Sequence, residues 1–519
     1  MLKGQPKGLI AAALANMGER FGFYTMMAIL VLFLQAKFGL DGKNAGYIYS
    51  TFYALIYILA LVGGLIADKT RNYKGTIMVG ILVMALGYFL IALPSPTPSP
   101  NPTLYLVLTC MGLFVIAFGN GLFKGNLQAL VGQMYDKPEY SSKRDSGFSI
   151  FYMFINVGAI FAPLTAIGVR NWWLQSHGFA YSSELPALAH SFLKGNITAD
   201  ASAQYQTLAN KVSLNAPSGV TDLTTFANEY LNTFTTGFHY AFGVAIFAML
   251  ISFAIYLVNR NNFPTPRLKT KATDSSKLSA QEVEMGIKEV KQRIFALFAV
   301  FGVVIFFWFS FHQNGLTLTF FAKQYTDLSG ISINLGGIQI VGAEIFQSIN
   351  PFFVVFLTPI VVGLFGWLNA RGIEPSTPKK IAIGMLIAAL GYVIMVVGSM
   401  DLPLFTTIDP DSGGSPLADA NKVTPFLLVA TYFVLTVAEL FISPLGISFV
   451  SKVAPPQYQG IMQGGWLGAT AIGNQLLFIG AILYQAIPLS AVWGVFVVVC
   501  LISMSTMLFM LKWLERVSK

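Results

Sequence analysis

Read as a string of apolar and polar positions, the chain falls into twelve long apolar stretches separated by mostly short polar ones. They lie at about 8 to 37, 44 to 67, 74 to 94, 104 to 134, 146 to 168, 237 to 258, 294 to 322, 343 to 369, 379 to 399, 424 to 450, 462 to 484 and 487 to 512. Most reach the roughly 20 residues that a helix needs to cross a bilayer. Because hydrocarbon leaves backbone groups no water to bond, each stretch predicts a spanning helix, about twelve in all. Two longer polar segments interrupt the series. Residues 259–293 begin Pro- and Ser/Thr-rich and end charged and helix-forming, which predicts a linker between two six-helix halves. Residues 169–236 contain "SSELPALAHSFL", "SAQYQTLANKV" and "TDLTTFANEYLNTF", each with apolar residues at helical spacing. They predict a helical insertion outside the membrane on the opposite face. The expected plan is an amino-terminal bundle from 1–168 and 237–258, the insertion 169–236, the linker 259–293 and a carboxy-terminal bundle 294–519.

Composition agrees with an all-α membrane protein. Charged residues are 11% of the 519 and hydrophobic residues 55%, with mean hydropathy +0.64, whereas soluble domains are about 25% charged. The net charge of +9 could point to nucleic acid, but its carriers are scattered. Lys3 and Lys7, then Lys69, Arg71 and Lys74, then Lys137, Lys143 and Arg144, then Arg371, Lys379 and Lys380, and finally Lys512, Arg516 and Lys519 occupy alternate connections. The opposite connections, such as 93–103 and 401–419, carry none. This asymmetry argues against a nucleic-acid partner and predicts a multi-pass protein of the cell's inner (plasma) membrane with both termini cytoplasmic. The first apolar stretch outruns a signal-peptide core and lacks a small-residue cleavage site, so it is expected to stay in the mature protein. Cys110 and Cys500 lie in apolar runs and predict no disulfide framework.

Polar residues inside the apolar stretches carry the functional signal. Asn16, Glu19, Arg20 and Tyr24 fall at i, i+3, i+4 and i+8 and share one helix face. Such a stripe must line an interior. Lys124 stands among glycines in "GNGLFKGNLQ" and needs a carboxylate, for which Glu19 is the expected partner. The pair reads either as a static staple between helices or as a network that rearranges with protons and substrate. Tyr152 and Asn156 share a face of the fifth helix, His312 and Gln313 lie in the seventh, and Asn350 precedes a helix proline. Glu439 is a carboxylate in an apolar run with Ser443 one turn on, a functional candidate by its cost alone. Trp466 follows a glycine pair and suits packing as well as ligand contact. His177, His190 and His239 lie elsewhere. No nucleophile with a base neighbour, no metal-ligand spacing and no phosphate loop is present, so neither an enzyme nor a cofactor or metal is expected. Energy would come from an ion gradient. Two six-helix halves with polar groups near the midplane is the plan of a secondary transporter.

These stretches together resemble the proton-dependent oligopeptide transporter (POT/PTR) family of the major facilitator superfamily. The family's ExxERFxYY signature stands here as Asn16 to Tyr24, FYxxINxGSL as "FYMFINVGAI" (151–160), and the superfamily's gating motif as "GGLIADKTRNYKGT" (63–76), with Asp68 and Arg71 as its charge pair. "FQSINP" (346–351), "EPSTPKK" (374–380) and "AELFISPLGISFVSKVAP" (438–455) also match. The resemblance implies a major facilitator fold and proton-coupled import of di- and tripeptides. It places Arg20, Tyr24, Tyr57, Lys124, Tyr152 and Asn156 on one side of a cavity and Asn350, Glu439, Ser443 and Trp466 on the other. The peptide carboxylate would lie towards Arg20 and Lys124 and the amino group towards Glu439. Proton coupling would fall to Glu19, Arg20, Lys124, His312 and Glu439. The chain departs from the pattern at Asn16, where the family has an acid, at Met27, where many members have arginine, at His312, where a glutamate is common, and at Ile345, which replaces a tryptophan. An imidazole titrates near neutrality, so His312 is expected to take over proton handling. Fewer acids also fit a small anion such as nitrate, and a peptide sensor that does not transport is a third reading.

Overall fold

The computed structural model of the chain describes residues 4–141, 143–216, 218–264, 287–455 and 458–518. Among the described residues, twelve helices are long and apolar enough to cross a membrane. Their ends follow local chemistry. Asp41, Asn72 and Asn101 each accept a backbone N–H of the first turn they precede, capping the second, third and fourth helices. Gly39 closes the first helix in the left-handed conformation (φ 61°), a region open to glycine at little cost.

Several boundaries differ from the hydropathy pattern. The fifth helix, Arg144–Ser176, and the sixth, Leu223–Val258, both run well into the segment 169–236 assigned to the insertion. Asp222 caps the sixth helix through the N–H groups of Thr224 and Thr225, so "TDLTTFANEYLNTF" extends a span and is not a separate helix. The part outside the spans holds Leu185–Lys194 and Ala199–Val212. The seventh helix begins at Ile287, inside the expected linker 259–293. Residues 265–286 of that linker lie outside the described residues. A two-stranded hairpin, β1 (Ile333–Leu335) and β2 (Ile338–Ile340), precedes the eighth span and had no counterpart in the apolar pattern.

The first span packs on the fifth and sixth, and the fourth on the second and third. In the other half the ninth packs on the tenth and twelfth, and the seventh on the eleventh. Contacts between the halves run from the second span to the eleventh and from the fifth to the eighth. Leu61 of the second span lies against Gly464, and earlier on the same helix, at the face away from the chain ends, Tyr47 packs on Phe478 and Gly46 faces the Ala481 methyl. There Arg170 and Glu344, both fully buried, form an ion pair between the halves. The segment 177–222 docks on the loop 401–422 through Lys422 with Glu184 and Lys194 with Asp411 (3.1 Å).

Without a hydrophobic drive between helices in lipid, close backbone approach carries the packing. Gly121 illustrates it, because a Cβ there would sit 2.4 Å from the Leu59 carbonyl oxygen, whereas a Cβ at Gly64 would meet nothing within 4 Å. Gly121→Val is therefore expected to destabilise the protein by about 1–3 kcal/mol or more and Gly64→Ala to leave it unchanged. Thermal unfolding of the purified variants in one detergent measures the difference.

Candidate functional site

The first span supplies the acid of the site. Glu19 is fully buried and needs donors on both oxygens. Arg20 provides a bidentate pair, its Nη2 donating to Oε1 at 2.6 Å, and Asn120 of the fourth span donates to the same Oε1 at 2.6 Å. The Arg20 guanidinium also lies over the Phe23 ring at 4.8 Å. Asn16 is buried one turn earlier on the same helix.

Lys124, one turn beyond Asn120, is not the ion-pair partner expected for Glu19. Its ammonium lies 4.6 Å from the Tyr57 ring centroid, and among the described residues no carboxylate pairs with it. The reason is depth on the helix. Asn120 reaches the Glu19 level first, leaving Lys124 a cation on a part-exposed side chain. Tyr57 belongs to a stripe on the second span with Tyr49 and Tyr53, the rings 6.0 Å apart in sequence.

Across the gap, Asn350 donates to Glu439 Oε2 (2.9 Å) and to Thr436 (3.0 Å), fixing the carboxylate on the tenth span. Ser443 is part-exposed one turn on. Trp466 packs against Gly446, where a Cβ would fall 1.9 Å from the indole, so its contact here is packing. Tyr152, in the second turn of the fifth span, is 47% exposed. Asn156 turns its amide back to the Tyr152 carbonyl (3.1 Å). Lys124, Tyr24, Tyr57, Asn350 and Glu439 likewise keep partial exposure. Arg20 and Lys124 lie within electrostatic reach of each other, and Tyr24, Tyr57 and Tyr152 within reach of Glu439. Polar groups of both halves therefore lie near one another, the cations Arg20 and Lys124 on the amino-terminal half and the acid Glu439 on the carboxy-terminal half.

His312 lies where the two halves meet. Its ring stacks on Trp308 (4.7 Å, 19°) and meets Tyr53 of the other half at 4.8 Å. Its Nδ1 lies within hydrogen-bond distance of Asn474 Oδ1. Gln313 is fully buried and donates to the Leu477 carbonyl.

The expected gating pair does not form. Asp68 accepts a hydrogen bond from Tyr73, and no ion pair joins it to Arg71. Arg71 is the left-handed cap (φ 53°) that turns the chain from the second helix into the third. Among the described residues no group of His, Cys, Asp or Glu could hold a metal ion.

The POT family profile matches residues 74–281 and 275–492. The chain belongs to the POT family. Among its relatives is the peptide transporter YePEPT of Yersinia enterocolitica, 28% identical over 91% of this chain and 86% of that one. Dipeptide and tripeptide permease A of Escherichia coli is 26% identical over 91% and 83%. The uncharacterized transporter YclF of Bacillus subtilis is 27% identical over 99% and 96%. Among solved structures, a peptide transporter POT in complex with sulfate superposes with TM-score 0.70 at 23% identity, covering 100% of this chain and 96% of that one. A POT family transporter in complex with 5-aminolevulinic acid gives TM-score 0.69 at 20% identity, covering 100% and 98%. The fold is that of the major facilitator superfamily, and this POT member is a multi-pass membrane protein.

Sequence reasoning missed five side chains that this geometry uses. Asn120 and Asn474 hold Glu19 and His312, and an amide in an apolar helix was the available signal. Tyr53 was legible from the i, i+4, i+8 tyrosine stripe. Arg170 and Glu344 lay in segments read as insertion and span end, and Glu344 Oε2 is buried with no protein partner. Removing one member of a buried pair strands the other charge, at about 3–5 kcal/mol, while replacing both is near neutral. Arg170→Met is thus expected to lower the thermal midpoint sharply, and Arg170→Met with Glu344→Met to recover most of the loss. Equal losses in the single and double variants would contradict the pairing.

Proposed function

We propose that this POT member is a proton-coupled symporter that imports di- and tripeptides by alternating access between its two bundles. The observation that supports the reading is that Tyr57 lies within electrostatic reach of both Arg20, a cation of its own half, and Glu439, an acid of the other, with the Lys124 ammonium over its ring. A short peptide is a small dipole, with an ammonium at one end and a carboxylate at the other, and a site of two opposed signs holds it by its ends. Tyr24, Tyr57 and Tyr152 between those poles offer amphipathic rings that tolerate different side chains. The peptide carboxylate sits towards Arg20 and Lys124, and the amino group displaces Asn350 from part of its bond to Glu439. The names of the relatives in Yersinia and Escherichia support the substrate class.

In this reading protons act on the carboxylates that hold the cations. Protonating Glu19 weakens its bidentate hold on Arg20 and frees the guanidinium for the substrate carboxylate. With an amide at Asn16, Glu19, Glu439 and the His312 imidazole are the proton carriers, with Arg20 and Lys124 as their charge partners. Asp68 and Arg71 act at the mouth near the chain ends when the other conformation forms. The termini lie in the cytoplasm and the protein resides in the inner membrane, as the basic connections favour.

Liposomes containing the purified protein test this directly. Dialanine is expected to accumulate when the outside is acidic and not without the gradient, while nitrate offered alone does not accumulate. Glu439→Gln is expected to abolish concentrative uptake. Loss of a charge-assisted contact is worth about 1.5–3 kcal/mol, so Lys124→Ala should weaken transport by about tenfold to a hundredfold. Concentrative uptake surviving in Glu439→Gln, or nitrate accumulating in place of dialanine, overturns the reading.

A further inference from the structure

A groove of about 680 Å³ lies away from the chamber, between the start of helix Ile287–Phe311 and the end of helix Leu489–Val517. Lys288, Lys291, Gln292, Phe295 and Phe298 line it from one helix and Trp513 from the other. Their spacing of i, i+3, i+4, i+7 and i+10 puts the five on a single helix face. Phe295 is 67% and Phe298 58% exposed, and the Phe295 and Trp513 rings meet at 5.7 Å. One turn further, a Cβ at Gly302 would meet nothing within 4 Å, so the helix face stays open beyond Phe298.

Charge is arranged along the groove as well. Lys288 and Lys291 are exposed, and neither has an ion-pair partner among the described residues. Among the described residues two acids on these helix ends are engaged elsewhere, Glu289 with Arg293 (3.0 Å) and Glu515 with the Ser376 hydroxyl. Lys512 and Arg516 are exposed on the opposing helix end and add positive charge. From Lys288 to Phe298 the helix rises about 15 Å. The groove is therefore cationic at the end where the helix leaves the membrane and aromatic towards its depth, with a tryptophan at the level where such rings favour the interface.

We propose that this groove is a binding site for one anionic phospholipid, its phosphate held by Lys288 and Lys291 and an acyl chain lying over Phe295 and Phe298. Basic pockets between membrane helices recognise anionic headgroups by this chemistry. A zwitterionic lipid brings a quaternary ammonium towards the same lysines and gains less.

Native mass spectrometry of the full chain in detergent, titrated with phosphatidylglycerol and phosphatidylcholine of identical chains, tests the site. Phosphatidylglycerol is expected to bind of the order of tenfold more tightly. Lys288→Gln with Lys291→Gln should remove that preference, and Phe295→Ala with Phe298→Ala should weaken both lipids. Lys7→Gln with Lys379→Gln, two exposed lysines elsewhere, should change nothing. Three results overturn the proposal: equal binding of the two lipids to wild type, the control pair lowering binding as much as the groove pair, or inorganic phosphate displacing the lipid.

Discussion

A charge held at membrane depth must have a partner or face water, and the arrangement of this protein follows from how it meets that demand. Glu19 is sealed from solvent and is satisfied by its own neighbour Arg20 and by Asn120 from another helix. That cluster ties the first span to the fourth. Because Asn120 takes the place expected of Lys124, the lysine is left with only an aromatic face. A cation so placed is available to an anionic ligand, which is the property a binding wall needs.

The two halves solve the same problem with opposite signs. On the tenth span Glu439 is tethered by neutral donors from Asn350, so its charge is oriented and not cancelled. His312 stands where the halves touch, with its ring between Trp308 of its own helix and Tyr53 of the other bundle. Further out, Arg170 and Glu344, both sealed from solvent, form an ion pair between the halves at the face away from the chain ends.

The sequence by itself determined the twelve helices, two of the three helices read in the insertion and the polar stripe from Asn16 to Tyr24, because helical period and span length are local properties. It also marked Glu439 and Lys124, since an ionised group in an apolar run stands out against its neighbours. Tertiary structure alone decided who partners whom. Glu19 takes Asn120 and not Lys124, Asp68 takes Tyr73 and not Arg71, and Arg170 finds Glu344 some 174 positions away. Helix ends at 176 and 223 also went unread, because amphipathic turns beyond the hydrocarbon resemble an independent helix. The physical reason is range: hydropathy sums over neighbours in the chain, whereas an ion pair depends on depth and rotation of helices that the chain brings together only on folding.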